Sequence, residues 1–255
     1  MKLSVIIITK NEADNLQACL DSVKFANEWI IVDSGSTDAT VAIAQANGAT
    51  VIETADWPGF GPQKNRALDA ASGDWVLSLD ADERIPDHLR DEILAVIGNV
   101  NDSHSAYAIP RLSSFCGHFI HHSGWYPDYI VRLFRRRSGR FSADLVHESV
   151  HIQQGSTGTL KTAMIHFSYA DDETYLRKLQ QYSSLGAQQA YAAGKRGGLS
   201  SAILHAFTSF LRSYIVRRGI LDGKAGLMVA ISSAESTYHK YFKLMLLTEK
   251  KLPPE

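Results

Sequence analysis

Short apolar runs alternate with helix-spaced segments along the first hundred residues. Leu3 to Ile8 is aliphatic apart from Ser4, which is typical of a strand buried on both faces. Leu16, Leu20 and Val23 recur at helical spacing within 13–23. The same criteria predict strands at 29–32, 50–53 and 75–79 and helices at 39–47 and 63–71. Because a βαβαβαβ order forces a parallel sheet with right-handed crossovers, we expect an α/β fold with a Rossmann-like, mostly parallel sheet and flanking helices.

The pattern changes after the fourth predicted strand. It predicts a helix at 86–97, then strands of a mixed region at 107–112, 129–134, 147–153 and 163–167. Asp171 or Asp172 is placed to cap a helix that reaches 193, and two more helices are predicted at 199–217 and 224–248. We therefore expect one α/β domain over residues 1–168 and a C-terminal helical extension over residues 169–255.

Composition narrows the class of protein. Hydrophobic residues make up 45% and charged residues 21% of the 255, which is ordinary for a globular protein and excludes a disordered chain. Cys19 lies in a predicted helix and Cys116 is the other cysteine, so a reducing compartment is expected rather than a disulfide framework.

The run at 3–8 is too short for a signal-peptide core, and the absence of any run of 18 apolar residues predicts a protein that does not span a membrane.

Charge is distributed unevenly although the net charge is only −1. Residues 1–100 hold 7 Lys/Arg against 16 Asp/Glu (−9), and residues 195–255 hold 10 against 4 (+6). An acidic front suits a metal ion, and a basic end suits phosphates or an anionic surface, although solvated helix surfaces also carry such charges.

Polar residues follow the predicted strands of the parallel sheet. Ligands of such sheets lie beyond the carboxyl ends of the strands, so Thr9, Asp33 and Asp80 are expected to converge on one crevice. Asp33 precedes the turn Ser34-Gly35-Ser36-Thr37-Asp38; its carboxylate either accepts from a nucleoside or only braces the turn. Asn11 and Glu12 are placed to line the same pocket. The alternative for Asn11 is that it caps the next helix.

The strongest chemical signal is Asp80-Ala81-Asp82-Glu83. Two carboxylates spaced by one residue at a strand end can direct oxygen ligands at Mg²⁺ or Mn²⁺, leaving open positions for phosphate oxygens. Lys64 and Arg66 open a helix after a Gly/Pro loop, where cations either reinforce the helix N-terminus in holding a diphosphate or are merely solvated.

Three of these segments resemble the signature blocks of family-two inverting glycosyltransferases. They are Ser4-Val-Ile-Ile-Ile-Thr-Lys-Asn-Glu12, Ile31-Val-Asp-Ser-Gly-Ser-Thr-Asp38 and Leu79-Asp-Ala-Asp-Glu83. The resemblance implies a GT-A fold and a nucleoside-diphosphate sugar donor, bound mainly by residues 1–100, with residues 101–168 forming an acceptor half. It implies Thr9, Glu12 and Asp33 near the nucleoside, Lys64 near the diphosphate, Asp80 near the ribose or metal, and Asp82 on the metal. The predicted donor-binding set is completed by Asn11, Ser34, Arg66 and Ala81.

Further segments resemble one branch of that family, the bacterial lipopolysaccharide inner-core β-1,4-glucosyltransferases. They include Gly59-Phe-Gly-Pro-Gln-Lys-Asn-Arg66, Gly124-Trp-Tyr-Pro-Asp128, Arg132-Leu-Phe134, Val146-His-Glu148 and Arg218-Gly-Ile-Leu-Asp-Gly-Lys-Ala-Gly226. Related enzymes that use other sugars share these segments. Membership of this branch implies transfer of a hexose, glucose from UDP-glucose, to a heptose of a lipid-linked saccharide. One alternative is a glycosyltransferase of another cell-envelope polysaccharide that uses a different UDP-sugar. The other alternative is a non-catalytic nucleotide-sugar-binding protein.

Inversion at the anomeric carbon needs a carboxylate that takes the proton of the acceptor hydroxyl. Glu148 is the predicted base, and Asp128 is its rival; a salt bridge to one of the arginines at 132 and 135–137 is the structural alternative for either. Trp125, Tyr126 and Arg132 are predicted to contact the acceptor. Cys116, His118, His121 and His122 match no usual zinc spacing, and a sugar- or phosphate-contacting loop explains these histidines as well.

The basic C-terminal helices carry aromatic and aliphatic residues between their Lys and Arg side chains. Three roles are compatible with such helices: binding to an anionic bilayer surface, formation of an oligomer interface, and packing on the α/β domain. The sequence does not decide among these roles. The expected location is cytoplasmic and peripheral to the inner face of the cytoplasmic membrane, and no nucleic-acid partner is expected.

Overall fold

The computed structural model describes residues 1–142, 149–169 and 171–249. Its first half follows the predicted alternation of strands and helices, with end points that differ by at most a few residues. The elements are β1 Leu3–Thr9, α1 Ala13–Ser22, β2 Glu28–Asp33, α2 Thr40–Ala46, β3 Thr50–Glu53, α3 Phe60–Ala70 and β4 Trp75–Asp80.

The four strands form a parallel sheet in the order β3-β2-β1-β4. In this register Thr9 is paired with Asp33 and Ile8 with Asp80. The predicted convergence of Thr9, Asp33 and Asp80 at one edge of the sheet is therefore confirmed, because the carboxyl ends of parallel strands meet there.

The central strands are buried on both faces. Val5 and Ile7 of β1 pack with Leu16 and Leu20 of α1 in one cluster, while Ile6, whose side chain points the other way, belongs to a second cluster with Ala67 and Leu68 of α3. Since successive side chains of a strand face opposite sides, this double covering explains why residues 5–8 are aliphatic without interruption.

The middle of the chain is a mixed region, as predicted. Its elements are β5 Glu83–Arg84, α4 Asp87–Gly98, β6 His104–Phe115, β7 His118–Phe119, β8 Asp128–Arg135, β9 Gly139–Phe141, β10 Val150–Ile152, β11 Ser156–Thr159 and β12 Met164–Tyr169. The sequence did not predict β5, β7, β9 or β11, which have two to four residues and no periodic pattern to detect. The predicted strand at 147–153 is observed over Val150–Ile152; residues 143–148 lie outside the described part.

Antiparallel pairings extend the sheet. β8 pairs with β4, where Leu77 is opposite Leu133, and with β6, where Tyr107 is opposite Leu133. At the far end β12 pairs with β5, which places His166 opposite Glu83. This pairing brings a residue from late in the chain to the Asp-Ala-Asp segment.

The chain divides into two compact units, residues 1–111 with 128–166 and residues 112–127 with 167–255. Residues 112–127 thus group with the C-terminal helices, whereas the sequence placed them in the first domain; the domain boundary expected at residue 168 stays a prediction. The helices of the second unit are α5 Asp172–Ala192, α6 Leu199–Leu211 and α7 Gly223–Glu249, with a π-helical turn at Arg212–Val216 and a 3-10 turn at Gly219–Asp222 before α7.

The start of α5 agrees with the prediction from the sequence, and the end of α6 differs from it. The side chain of Asp171 accepts a hydrogen bond from Thr174 N (2.7 Å), which is the predicted N-cap of α5. The second predicted helix is wrong at its end, because α-helical geometry stops at Leu211 and continues as the π turn. None of the helices among the described residues combines the length and apolar character needed to cross a bilayer.

Candidate active site

The Asp33 carboxylate organises the turn that follows β2. It is 1% exposed and accepts hydrogen bonds from Thr9 Oγ1 (2.8 Å), from the backbone N–H groups of Gly35 (3.0 Å) and Ser36 (2.7 Å), and from Ser36 Oγ (2.6 Å). Four donors occupy the acceptor positions of its two oxygens. Bracing of the turn is thus evident in the structure, and contact of Asp33 with a nucleoside stays a prediction.

The loops after β1 and β2 are tied to each other by side chains. Asn11, at φ +56°, accepts from Thr37 N through Oδ1 (2.8 Å), and its own N–H donates to Ser36 Oγ (2.8 Å). Asn11 therefore does not cap α1, whose N-cap position is Glu12 without a side-chain cap. The N–H of Glu12 donates to Thr40 Oγ1 (2.8 Å), so this edge of the sheet is held in a fixed shape.

Ser34 and Arg66 meet partners close to α3. Ser34 Oγ accepts from Gln63 Nε2 (2.8 Å), which ties the turn after β2 to that helix. Arg66 forms a bidentate pair with Asp56, through hydrogen bonds of 2.6 and 2.9 Å, and donates to Gln63 Oε1 (2.6 Å). This arrangement fits the structural explanation of Arg66, and its contact with a diphosphate stays a prediction.

Both oxygens of Asp80 lie against cations of the protein. Lys64 Nζ is 3.0 Å from Oδ1, and Arg132 Nη2 donates to Oδ2 at 2.6 Å. The same Arg132 nitrogen donates to Glu83 Oε1 (2.6 Å), while Glu83 Oε2 accepts from Asp80 N (3.0 Å). Lys64, Arg132 and Glu83 are buried, so two cations and two carboxylates form one charge-balanced cluster below the end of β4.

The cluster shifts the protonation of its members. Burial alone would raise the pKa of Asp80, but Arg132 and Lys64 hold the pKa of that carboxyl well below its usual range. Burial raises the pKa of Glu83, with Arg132 opposing and the Asp80 charge adding to the rise. Burial would lower the pKa of Arg132, but the charges of Asp80 and Glu83 raise it. The resulting form is an ionised Asp80 paired with an Arg132 that stays protonated.

Asp82 is placed differently from Asp80. Its Oδ2 lies 3.4 Å from His166 Nε2, and the two side chains are 24% and 12% exposed. Ala81, between the two acids, is buried, and its carbonyl accepts from Arg84 Nη1 (2.7 Å), which fixes the bend between Asp80 and Asp82. A carboxylate oxygen is a ligand suited to Mn²⁺ or Mg²⁺, and an imidazole nitrogen at this separation can join it on a transition-metal ion such as Mn²⁺.

No group of three or more His, Cys, Asp and Glu side chains in the described ranges is gathered as a metal cluster. Two protein ligands are nevertheless compatible with Mg²⁺-type binding, in which waters and substrate phosphates supply the other positions. The sequence predicts both acids as ligands. The structure places Asp82 beside His166 and places the two oxygens of Asp80 on Lys64 and Arg132, and the role of each acid on a metal stays a prediction.

Of the two candidate bases, Asp128 lies within the described residues. Glu148 lies outside the described residues. Asp128 begins β8 with a half-exposed side chain, and its Oδ2 accepts from Arg111 Nη2 (2.7 Å) and Nε (3.2 Å). Its ion-pair partner is thus Arg111 and none of the four arginines considered from sequence. Arg111 Nη1 also lies 3.6 Å from Glu83 Oε1, so Asp128 adjoins the buried cluster.

The predicted acceptor residues fall in different environments. The guanidinium group of Arg132 is buried and donates to Asp80 and Glu83. The contact of Arg132 with an acceptor stays a prediction. In the second unit, Trp125 packs edge-on against Phe115 with ring centroids 5.8 Å apart, and Tyr126 lies beside His121 at 6.1 Å.

The histidine-rich segment has a structural partner. His122 donates its backbone N–H to Asp222 Oδ2 (2.8 Å), and its Nδ1 lies 2.7 Å from Asp222 Oδ1. The described part of the chain contains no zinc-type cluster at Cys116, His118, His121 and His122.

Sequence reasoning missed His166 and Arg111. His166 has no motif around it, and Arg111 lies inside a strand whose pairing with β8 alone brings it to Asp128. The only available signal was that the expected strands at 107–112 and 163–167 each carry one such polar residue.

Comparisons with known proteins show the family of the chain. The family model described as "Glycosyl transferase family 2" matches residues 4–157, and the chain belongs to that family. The chain is 30% identical to the lipopolysaccharide core biosynthesis glycosyltransferase LpsC of Rhizobium meliloti, over 94% of this chain and 93% of that protein. It is 31% identical to an uncharacterized glycosyltransferase of Rickettsia typhi, over 98% and 88% of the two chains.

A solved structure supports the fold. The mannosyltransferase PcManGT from Pyrobaculum calidifontis, in complex with GDP-Man and Mn²⁺, has a TM-score of 0.51 at 16% identity, covering 92% of this chain and 73% of that one. The chain therefore has the GT-A fold with a C-terminal helical region, and it is a family 2 glycosyltransferase related to an enzyme of lipopolysaccharide core biosynthesis.

Proposed function

We propose that the protein transfers a hexose, glucose from UDP-glucose, to a lipid-linked saccharide such as a heptose of the lipopolysaccharide inner core. The observation that carries the proposal is the arrangement at the end of β4, where Asp82 lies 3.4 Å from His166 and Asp80 is paired with Lys64 and Arg132. Similarity to LpsC supports the lipopolysaccharide acceptor, and the resemblance of the sequence blocks supports glucose as the sugar.

The donor side of the site is built for a nucleoside diphosphate. Asp33 with Thr9, and the loop that carries Asn11 and Glu12, form a fixed edge for the nucleoside, and Ser34 lines the same turn. Lys64 and Arg132 place two positive charges at Asp80, next to the position proposed for the diphosphate. A preformed edge of this kind reduces the entropy that is lost when the donor binds.

Asp82 and His166 are the side chains proposed to hold Mg²⁺ or Mn²⁺, and the Mn²⁺ in the mannosyltransferase of similar fold supports this assignment. When bound there, a divalent cation supplies positive charge that offsets the charge of the departing diphosphate. The protein's own part is to fix the carboxylate and imidazole and to keep Asp80 ionised.

The reaction is a single in-line displacement. The oxygen of the acceptor hydroxyl forms a bond to the anomeric carbon while the bond from that carbon to the diphosphate oxygen breaks, and the electron pair leaves with the nucleoside diphosphate. The hydroxyl proton passes to a carboxylate, for which Glu148 is proposed and Asp128 is the second candidate. Trp125 and Tyr126 offer flat apolar faces of the kind that stack on sugars, and Arg132 completes the proposed acceptor set.

A peripheral contact with an anionic bilayer is proposed for the C-terminal helices. Exposed apolar side chains run along α6 and the turns that follow it: Ile203, Leu204, Phe207, Leu211, Ile215, Val216, Ile220 and Leu221. The excess of Lys and Arg in residues 195–255 gives this surface the charge that an anionic membrane attracts. A lipid-linked acceptor would be met at such a surface.

The function is tested by incubating the protein with a panel of UDP-sugars, with and without Mn²⁺, and measuring UDP release and transfer to lipopolysaccharide truncated at the inner core. We expect metal-dependent release that is fastest with UDP-glucose. Faster turnover with another UDP-sugar would replace the glucose assignment with that of another envelope glycosyltransferase. Binding of donors without any turnover would favour a non-catalytic nucleotide-sugar-binding protein.

A further inference from the structure

The second unit contains a polar cavity, which is lined in part by Trp125 of the proposed acceptor set. Its volume is about 310 Å³. The side chains that matter for its chemistry are Ser123, Ser209, Arg212, Ser213, Arg217 and Ser233. We call this cavity the arginine pocket. Guanidinium groups and hydroxyls are hydrogen-bond donors, and no carboxylate is among the residues that line it.

The two arginines are brought together by the π turn that follows α6. The N–H of Arg217 donates to the carbonyl of Arg212 (2.8 Å), a hydrogen bond across five residues in place of the usual four. This widened turn sets residues five apart one above the other, so both side chains reach the same cavity. Neither guanidinium forms an ion pair or hydrogen bond with any residue of the described ranges, and each keeps its full set of donors.

Two buried hydroxyls of the pocket also have no partner in the described part of the chain. Ser123 is 3% and Ser213 is 5% exposed, and their Oγ atoms form no hydrogen bond there. Buried polar groups are almost always paired, since an unmet hydroxyl costs folding free energy. Unpaired donors next to two unpaired guanidinium groups indicate a ligand that accepts several hydrogen bonds and carries negative charge.

The pocket is rigidly built. The N–H of Ser123 donates to the carbonyl of Arg217 (2.9 Å), and Asp222 holds His122 as described above. Gly219 permits close contact, because a Cβ there would lie 2.4 Å from Ser123 Oγ; Gly226 likewise faces the carbonyl of Gly219, and a Cβ there would be 1.8 Å from it. The segment from Arg218 to Gly226 therefore serves to fix the loop that carries Ser123.

We propose that the arginine pocket binds a phosphoryl group, as a monoester or a diphosphate. Phosphate oxygens accept the bidentate hydrogen bonds that arginine donates, and the serine hydroxyls fill the remaining acceptor positions. The group is carried either by a membrane lipid headgroup or by a phosphate that is free or attached to a saccharide. The pocket stands on its own contacts and does not depend on the proposed sugar transfer.

The first test is isothermal titration of the protein with inorganic phosphate and with pyrophosphate in the presence of EDTA, so that no divalent metal assists binding elsewhere. We expect Arg212→Gln and Arg217→Gln each to weaken binding at least tenfold, about 1.4 kcal/mol. Arg218→Gln is the matched control, because Arg218 is exposed and next in sequence but does not line the pocket. Absence of binding to the unmodified protein, or equal weakening in the control, would overturn the proposal.

A second pair of variants separates binding from structure. Ser123→Ala and Ser213→Ala each remove a buried hydroxyl that has no partner among the described residues, so we expect the Tm to be unchanged or raised while phosphate affinity falls. A lowered Tm with unchanged affinity would mean that these hydroxyls serve the fold, contrary to the proposal.

Vesicles distinguish the two sources of the phosphoryl group. Sedimentation is measured with vesicles of phosphatidylcholine containing either phosphatidic acid or phosphatidylglycerol, at equal charge. A preference for phosphatidic acid that Arg217→Gln removes and Arg218→Gln keeps assigns the pocket to a lipid headgroup. If all variants sediment equally but Arg217→Gln binds phosphate more weakly in the titration, the pocket binds a free or saccharide-borne phosphate. If all variants sediment equally and bind phosphate equally in the titration, the proposal is contradicted.

Discussion

Arg132 Nη2 lies 2.6 Å from Asp80 Oδ2, so the first acid of the Asp-Ala-Asp segment is already paired with a buried cation of the protein. Lys64 takes the other oxygen at 3.0 Å. The two acids of the segment therefore have different partners: Asp80 belongs to a charge cluster at the strand end, and Asp82 lies beside His166, with which we propose that it holds a metal.

Removal of the buried cation should be far more costly than removal of a surface one. Among the described residues, Arg132→Met leaves Asp80 paired with Lys64 alone and leaves the buried Glu83 with only the more distant Arg111 as an ion-pair partner. We expect a loss of about 3–5 kcal/mol in the free energy of unfolding. Arg140, paired with Asp69 on the surface, is the control, and Arg140→Gln should cost about 0–1 kcal/mol. Urea unfolding measures both; equal losses would mean that the buried cluster does not stabilise the fold.

The pKa shifts predict how stability depends on pH. Asp80, with its lowered pKa, contributes stability that persists at neutral pH and is lost only well below the unfolded value of 3.8. Glu83, with its raised pKa, binds a proton more readily in the folded state, so stability rises as the pH falls towards the unfolded value of 4.5. The unfolding free energy of the unmodified protein should therefore increase relative to that of Glu83→Gln on going from about pH 7 to about pH 5; a decrease would contradict the assignment.

The two candidate bases are separated by conservative substitutions. Glu148→Gln should keep donor affinity while transfer falls by about 10²–10⁴, the usual contribution of a general base. Asp128→Asn should have a smaller effect, because Asp128 is paired with Arg111. Donor binding measured by titration and transfer measured by product formation decide the matter: normal transfer by Glu148→Gln would give the role to Asp128.

The proposed membrane surface is tested with a matched pair of valines. Val216 and Val100 are 74% and 75% exposed, and only Val216 lies on the apolar C-terminal surface. Val216→Glu should lower partition into anionic vesicles about tenfold, in line with the loss of one buried aliphatic side chain, while Val100→Glu should leave it unchanged. A change in oligomeric state with unaltered vesicle binding would indicate an oligomer interface instead.

Much of the donor half was predictable from sequence because its determinants are local. Continuous aliphatic runs mark strands covered on both faces, and the polar residues that end them, Thr9, Asp33 and Asp80, follow directly. His166, Arg111 and the pairing of Arg132 were not predictable, since each depends on antiparallel register between distant strands. The same limit applies to the arginine pocket, where a π turn aligns Arg212 and Arg217 in a way that helical periodicity does not predict.

The central claim is that Asp82 and His166 hold a divalent cation next to the diphosphate of the donor. Binding of Mn²⁺ in the presence of UDP, followed by electron paramagnetic resonance, tests it directly. We expect the unmodified protein and the exposed-acid control Asp91→Asn to bind Mn²⁺ equally, and Asp82→Asn and His166→Gln to bind it at least about tenfold more weakly. Undiminished Mn²⁺ binding by Asp82→Asn would contradict the account.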